Sequence, residues 1–148
     1  MKVCSFASSS KGNCTIVYNE NEILVVDMGI TFKEFEEKIN LLKLDINNVI
    51  GAIVSHEHSD HIKGLLTFFR TLNKKIYCHY NSCQGIMKKI KLPESAIVRF
   101  DGAFQLGSFK IDPFEVSHDV FCVGFNIWEN NNKVSIVTDL GYTTNAVV

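Results

Sequence analysis

No stretch of this chain approaches the roughly 18 consecutive apolar residues that a membrane span needs, and Met1-Lys2-Val3-Cys4-Ser5-Phe6 lacks the long apolar run of an export signal. A cytoplasmic protein with no membrane partner is therefore expected. Charge of one sign is also scarce: 15 Lys and Arg against 16 Asp and Glu leave a formal net charge of −1. That balance argues against a broad basic surface for tracking phosphates, so any affinity for nucleic acid has to be local. The five cysteines, Cys4, Cys14, Cys78, Cys83 and Cys122, contain no CxxC pair. Their odd number and their spacing fit reduced thiols, most of them small core residues, better than a disulfide framework. Internal repeats, low-complexity tracts and interdomain linkers are missing as well.

What is present suits one globular domain: 148 residues, 46% of them hydrophobic. Lys2 to Ala7, Cys14 to Tyr18 and Ile23 to Val26 read as the strands of an antiparallel meander, with a Ser8 to Asn13 loop between the first two and Asp27 at the end of the third. Thr31 with Glu34 forms a capping box before Phe32, Phe35, Ile39 and Leu42 at helical spacing. Val49 to Val54 is a buried-strand run. Helical spacing resumes at Ile62, Leu65, Leu66, Phe69 and Leu72, so the polar segment Ser55 to His61 falls in a strand-to-helix loop. Lys75 to His79 reads as a strand, and Ser82 as the cap of a helix from Cys83 to about Ile90. From Ala96 onward the pattern is β, with turns at Gly107-Ser108 and Asn130-Asn131-Asn132 joining hairpins.

Ser55-His56-Glu57-His58-Ser59-Asp60-His61 carries the chemistry. Two imidazoles two residues apart point to the same side of an extended segment and can grip one cation. Asp60 and His61 add an oxygen and a nitrogen donor directly behind them. Each of these groups costs free energy if buried alone, and a metal satisfies all of them together. Two further strand ends carry ligand types, His118 in Val116-Ser117-His118-Asp119 and Asp139 in Thr138-Asp139-Leu140-Gly141; taken singly, each reads as readily as a turn or capping residue. Asp27 is either a carboxylate that orients a ligand histidine or a cap or turn residue before the Thr31 helix. His79 matches no motif and reads as structural or surface.

The order Asp27 after a β-meander, then His56-x-His58-x-Asp60-His61, then His118, then Asp139 resembles the successive motifs of the metallo-β-lactamase fold hydrolases, over nearly the whole chain. The resemblance implies an α/β (α+β) fold, the αββα sandwich, with mostly antiparallel and mixed sheets flanked by helices and the site at one edge of the two sheets. It implies that His56, His58 and His118 hold a first metal and that Asp60 and His61 hold a second. Asp139 bridges both, and Asp60 and Asp139 are the catalytic carboxylates. The cofactors implied are two divalent ions, zinc or manganese with iron as a further option, since the donors are nitrogen and oxygen with no thiolate.

Within the superfamily, Phe6-Ala7-Ser8-Ser9-Ser10-Lys11-Gly12-Asn13-Cys14 is similar to the serine- and glycine-rich opening of the WalJ (YycJ) branch, cytoplasmic bacterial proteins regarded as DNA exonucleases. That likeness implies a nucleic acid substrate and hydrolysis of a phosphodiester. The loop itself reads equally as a flexible turn or as a phosphate-contacting segment. Hydrolysis of a thioester or other small molecule on the same fold, and a catalytically silent metal-binding fragment, stand as the alternatives. Family members run considerably longer and carry a further histidine ligand near their C-terminal end. Residues 1–148 are accordingly expected to be the N-terminal portion of a metallo-β-lactamase-like domain whose C-terminal half is absent. Such a portion exposes a sheet edge suited to self-association.

Overall fold

The computed structural model describes residues 1–116, 120–137 and 141–144, so His118 and Asp139 lie outside the described residues. The chain opens with β1 (Lys2–Ser9), β2 (Gly12–Tyr18) and β3 (Ile23–Val26), followed by helix α1 (Phe32–Leu41) and β4 (Val49–Ile53). The short helix α2 (Ser59–Ile62) and α3 (Leu65–Leu72) lead to β5 (Ile76–His79), α4 (Tyr80–Ile90) and β6 (Ile97–Phe100). A second run of strands follows: β7 (Phe104–Leu106), β8 (Phe109–Val116), β9 (Cys122–Glu129), β10 (Asn132–Val137) and β11 (Gly141–Thr144).

Two sheets result. The first is mixed, in the order β1-β2-β3-β4-β5-β6: its first three strands pair antiparallel, and β3 through β6 pair in parallel. Parallel neighbours need a crossover, and α1, the α2–α3 segment and α4 supply one for each step. The second sheet is antiparallel throughout, in the order β11-β10-β9-β8-β7.

Strand alternation sends successive side chains to opposite faces and so divides the apolar residues into two cores. Val25 and Ile16 turn toward Phe35, Ile39 and Phe68 of the helices. Leu24, Val26, Val17 and Ile53 turn the other way and meet Phe109, Ile111, Phe125 and Ile127 of the second sheet. The layering is helix, sheet, sheet, which is three layers of the αββα sandwich; no helix covers the outer face of the second sheet among the described residues. Nor is any helix among them long and apolar enough to cross a membrane.

Four local expectations are corrected. Ser8 and Ser9 continue β1 and pair with Asn13 and Gly12, so the expected loop shrinks to a turn at Ser10-Lys11. The helical run after the histidine cluster is broken: Asp60 and His61 belong to α2, and α3 begins only at Leu65. The break falls at Gly64, where a Cβ would collide with the Ile30 carbonyl. Helix α4 starts at Tyr80, capped by His79, whose Nδ1 accepts the Asn81 N–H at 2.9 Å; Ser82 is buried inside the helix and caps nothing. Finally, Cys78 and Cys83 form a disulfide with Cα atoms 5.8 Å apart, whereas Cys4, Cys14 and Cys122 take part in no disulfide. The strand-to-helix turn folds residue 83 back over residue 78, a geometry that a search for CxxC does not register.

Candidate metal centre

The site forms where parallel strands β3 and β4 end together, the sheet edge at which α/β folds build their pockets. Asp27 follows β3 with φ +63°, a left-handed conformation that aspartate tolerates better than most side chains. Its own N–H donates to the Ile53 carbonyl at 2.8 Å, which ties it to the last rung of β4. The carboxylate is fully buried. Oδ1 accepts the Ser55 N–H at 2.7 Å, and Oδ2 accepts the Ser55 hydroxyl at 2.7 Å and lies 2.7 Å from His61 Nδ1. Asp27 does not cap the Thr31 helix, where Thr31 Oγ1 accepts from the Glu34 N–H itself.

This network fixes two imidazole tautomers. A carboxylate only accepts, so His61 carries a proton on Nδ1, and in the neutral ring Nε2 is the lone-pair nitrogen. The single Ser55 hydroxyl proton is directed at Asp27, so the 3.0 Å contact between Ser55 Oγ and His56 Nδ1 requires the histidine to donate. In the neutral ring His56 Nε2 is then the lone-pair nitrogen as well. One buried acid thus orients His61 directly and His56 through a serine, the arrangement by which outer carboxylates prepare histidines for metal.

The rings lie close together. His56 and His61 centroids are 4.0 Å apart, His56 and His58 4.7 Å. His56 and His61 are buried and His58 is half-buried. Glu57 turns to the opposite side, as the two-residue alternation requires, and pairs with Lys89 of α4 at 3.4 Å. Asp60 places Oδ2 3.4 Å from His61 Nε2 and 3.0 Å from Asn13 Nδ2. Cys122, at the start of β9, brings its sulfur to 3.6 Å from His56 Nδ1.

The structure thus gathers His56, His58, Asp60, His61 and Asp27 at one sheet edge and leaves His79 apart, capping α4 and packed on Phe121 with ring centroids 4.4 Å apart. His118 and Asp139 are outside the described residues. Ser55, expected only as part of the cluster segment, Asn13, expected as a turn or phosphate-contacting loop residue, and Cys122, expected as a thiol of the core, are further parts of the site. Among the described residues no group of three or more His, Cys, Asp or Glu side chains is placed to hold one ion; the remaining candidates, His118 and Asp139, lie outside them. The donor set nevertheless fits a divalent metal, because two buried imidazoles turn Nδ1 toward the Asp27–Ser55 pair, which makes Nε2 the nitrogen that would meet a cation, beside the Asp60 carboxylate.

Sheet order, crossover helices and this strand-end cluster define a metallo-hydrolase fold. Residues 10–147 match the metallo-beta-lactamase superfamily, and the chain belongs to it. Membership implies divalent metal binding. In sequence the chain is similar to exodeoxyribonuclease YycJ of Bacillus anthracis, with 34% identity over 142 residues, 93% of this chain and 54% of that protein. It is also similar to exodeoxyribonuclease WalJ of Streptococcus pneumoniae, with 24% identity over 97% of this chain and 55% of that protein. The chain therefore spans about half the length of these relatives. Among solved structures, a motif mutant of a metallo-beta-lactamase from Cronobacter sakazakii superimposes with a TM-score of 0.75 at 9% identity, covering 91% of this chain and 60% of that one.

Proposed function

We propose that these residues are the N-terminal part of a longer metallo-β-lactamase domain that hydrolyses phosphodiester bonds in DNA, as an exonuclease, with two divalent ions. His56 and His58, with His118, would hold the first ion; Asp60 and His61 would hold the second, with Asp139 bridging. Zinc and manganese both suit such nitrogen and oxygen donors, and iron is a third option. When bound, the ions supply Lewis acidity, lowering the pKa of a coordinated water and neutralising charge that develops on the phosphate. The protein's own part is preorganisation: Asp27 and Ser55 fix the tautomers and orientations of His56 and His61 before any ion arrives.

The observation that carries this reading is the Asp27 carboxylate serving two histidines at once. DNA is favoured as substrate by the likeness to two exodeoxyribonucleases, and a cytoplasmic location belongs to the same proposal. With a net charge of −1, contact with the phosphates is concentrated at the site rather than spread over the surface. The test is an assay on 5′-phosphorylated single- and double-stranded DNA with added zinc or manganese, with chelator and a His58→Ala variant as controls. Metal-dependent release of nucleotides, lost in both controls, is the expected result. Metal binding with no cleavage of either DNA, but turnover of a thioester, would replace the substrate assignment. Metal binding with no turnover of any of them would make the chain a silent metal-binding module.

A further inference from the structure

Asn13 is an uncharged side chain set among ligand-type groups. It sits where β2 leaves the tight turn after β1, is only 8% exposed, and its carbonyl accepts the Gly29 N–H at 2.8 Å. Its Nδ2 lies 2.8 Å from the Ser9 carbonyl, 3.0 Å from Asp60 Oδ2, 3.3 Å from His61 Nε2 and 3.4 Å from the Asp60 carbonyl. A primary amide has two N–H bonds. The two shortest contacts, to Ser9 and to the Asp60 carboxylate, take them, and His61 Nε2 keeps its lone pair.

The surroundings leave Asn13 little room to move. A Cβ on Gly12 would come within 2.5 Å of the Gly29 carbonyl, and one on Gly29 would overlap the Asp60 carbonyl. The β1–β2 turn, the segment after Asp27 and helix α2 therefore touch backbone to backbone. An amide held this firmly restrains rotation of the Asp60 carboxylate while adding no positive charge that would compete with a cation.

We propose that Asn13 is a positioning residue of the metal centre: it holds the Asp60 carboxylate in place beside His61 and so strengthens cation binding at that end of the site. The proposal rests on the metal-centre reading above. Asn13 acts through Asp60 and does not itself touch substrate, and it makes the serine-rich turn a buttress of the site.

The experiment titrates cobalt(II) into the metal-free chain, as wild type and as Asn13→Ala. It follows the visible absorption bands and the affinity against a competing chelator, with thermal unfolding of the metal-free forms measured alongside. Loss of the buttress should weaken cobalt binding about 10- to 100-fold, in the range seen when outer-shell partners are removed. The absorption bands of the cobalt that remains bound should also shift, which a purely structural role would not cause. Identical affinity and bands in the folded variant would overturn the role of Asn13 and leave the metal centre standing. Failure of the wild type to bind cobalt would overturn both. Should Asn13→Ala not fold, Asn13→Ser, whose hydroxyl is too short to span Ser9 and Asp60, takes its place with the same expected and contrary results.

Discussion

A buried carboxylate is tolerated only when donors surround it, and Asp27 has three: the Ser55 N–H, the Ser55 hydroxyl and His61 Nδ1–H. Its left-handed backbone adds a local cost, of order 1–3 kcal/mol for such conformations, which the hydrogen bonds offset. Asp27→Ala leaves the Ser55 amide and the His61 ring buried without their acceptor. It is expected to lower stability by about 3 kcal/mol and metal affinity by about 10- to 100-fold, as read by thermal unfolding and chelator competition. A stability loss with metal affinity unchanged would reduce Asp27 to a structural acid. The sequence alone marks Asp27 as an acid at a strand end, with its role open between ligand support and capping. The serine relay was not legible, because Ser55 is 28 positions away and reaches Asp27 only through the parallel pairing of β3 with β4. Asn13 was hidden for the same reason, 47 positions from Asp60.

Helix α2 has four residues and no side-chain cap, so its position comes from its neighbours. The Met28 N–H donates to the His61 carbonyl and the Gly64 N–H to the Met28 carbonyl, both at 2.8 Å, clamping α2 to the strand end that carries Asp27. Gly64→Ala drives a methyl group into the Ile30 carbonyl. Overpacking of this kind costs about 1–3 kcal/mol, and the shift of α2 should weaken metal binding together with the melting temperature. Helix α4 gives the converse case. His79→Ala removes an N-cap worth about 1 kcal/mol together with ring packing on Phe121, and should lower stability while metal affinity stays as in the wild type. His58→Ala should do the reverse. Equal loss of metal from both would count against the ligand assignment. Long, periodic elements were legible: Thr31 caps α1 as its spacing predicts, and β3 runs from Ile23 to Val26 as expected. The start of α4 was missed because serine is the commoner cap, whereas here a histidine ring nitrogen takes that place.

Across the whole molecule the two sheets are joined by their shared apolar core and by polar ties at one end. Glu129 on β9 meets the Asn19 amide and lies 3.2 Å from the N-terminal ammonium. Burial pushes this carboxyl upward, but the hydrogen bonds and the ammonium outweigh it, and the group is held below the usual glutamate range. A depressed carboxyl stabilises the fold above its unfolded pKa, about 4.3, and that contribution is lost as pH falls through the folded value. Glu129→Gln should therefore melt below the wild type near neutral pH, with the gap closing in acid; a gap independent of pH would contradict the tie. The architecture was legible because the motif order spans nearly the whole chain, whereas the disulfide depends on a turn that brings residues 78 and 83 together. Two thiols lie near the elements of the site: Cys122 beside Nδ1 of His56, and Cys14 buried on β2 against Met28. Burial and, after it, the charge of Asp27 push the Cys14 thiol well above its ordinary pKa, which disfavours the thiolate a metal needs. X-ray absorption at the zinc edge of the zinc-loaded chain separates the two donor types. Nitrogen and oxygen neighbours at about 2.0–2.1 Å with imidazole scattering are the predicted result; a sulfur shell at about 2.3 Å, or failure to retain zinc, would contradict it.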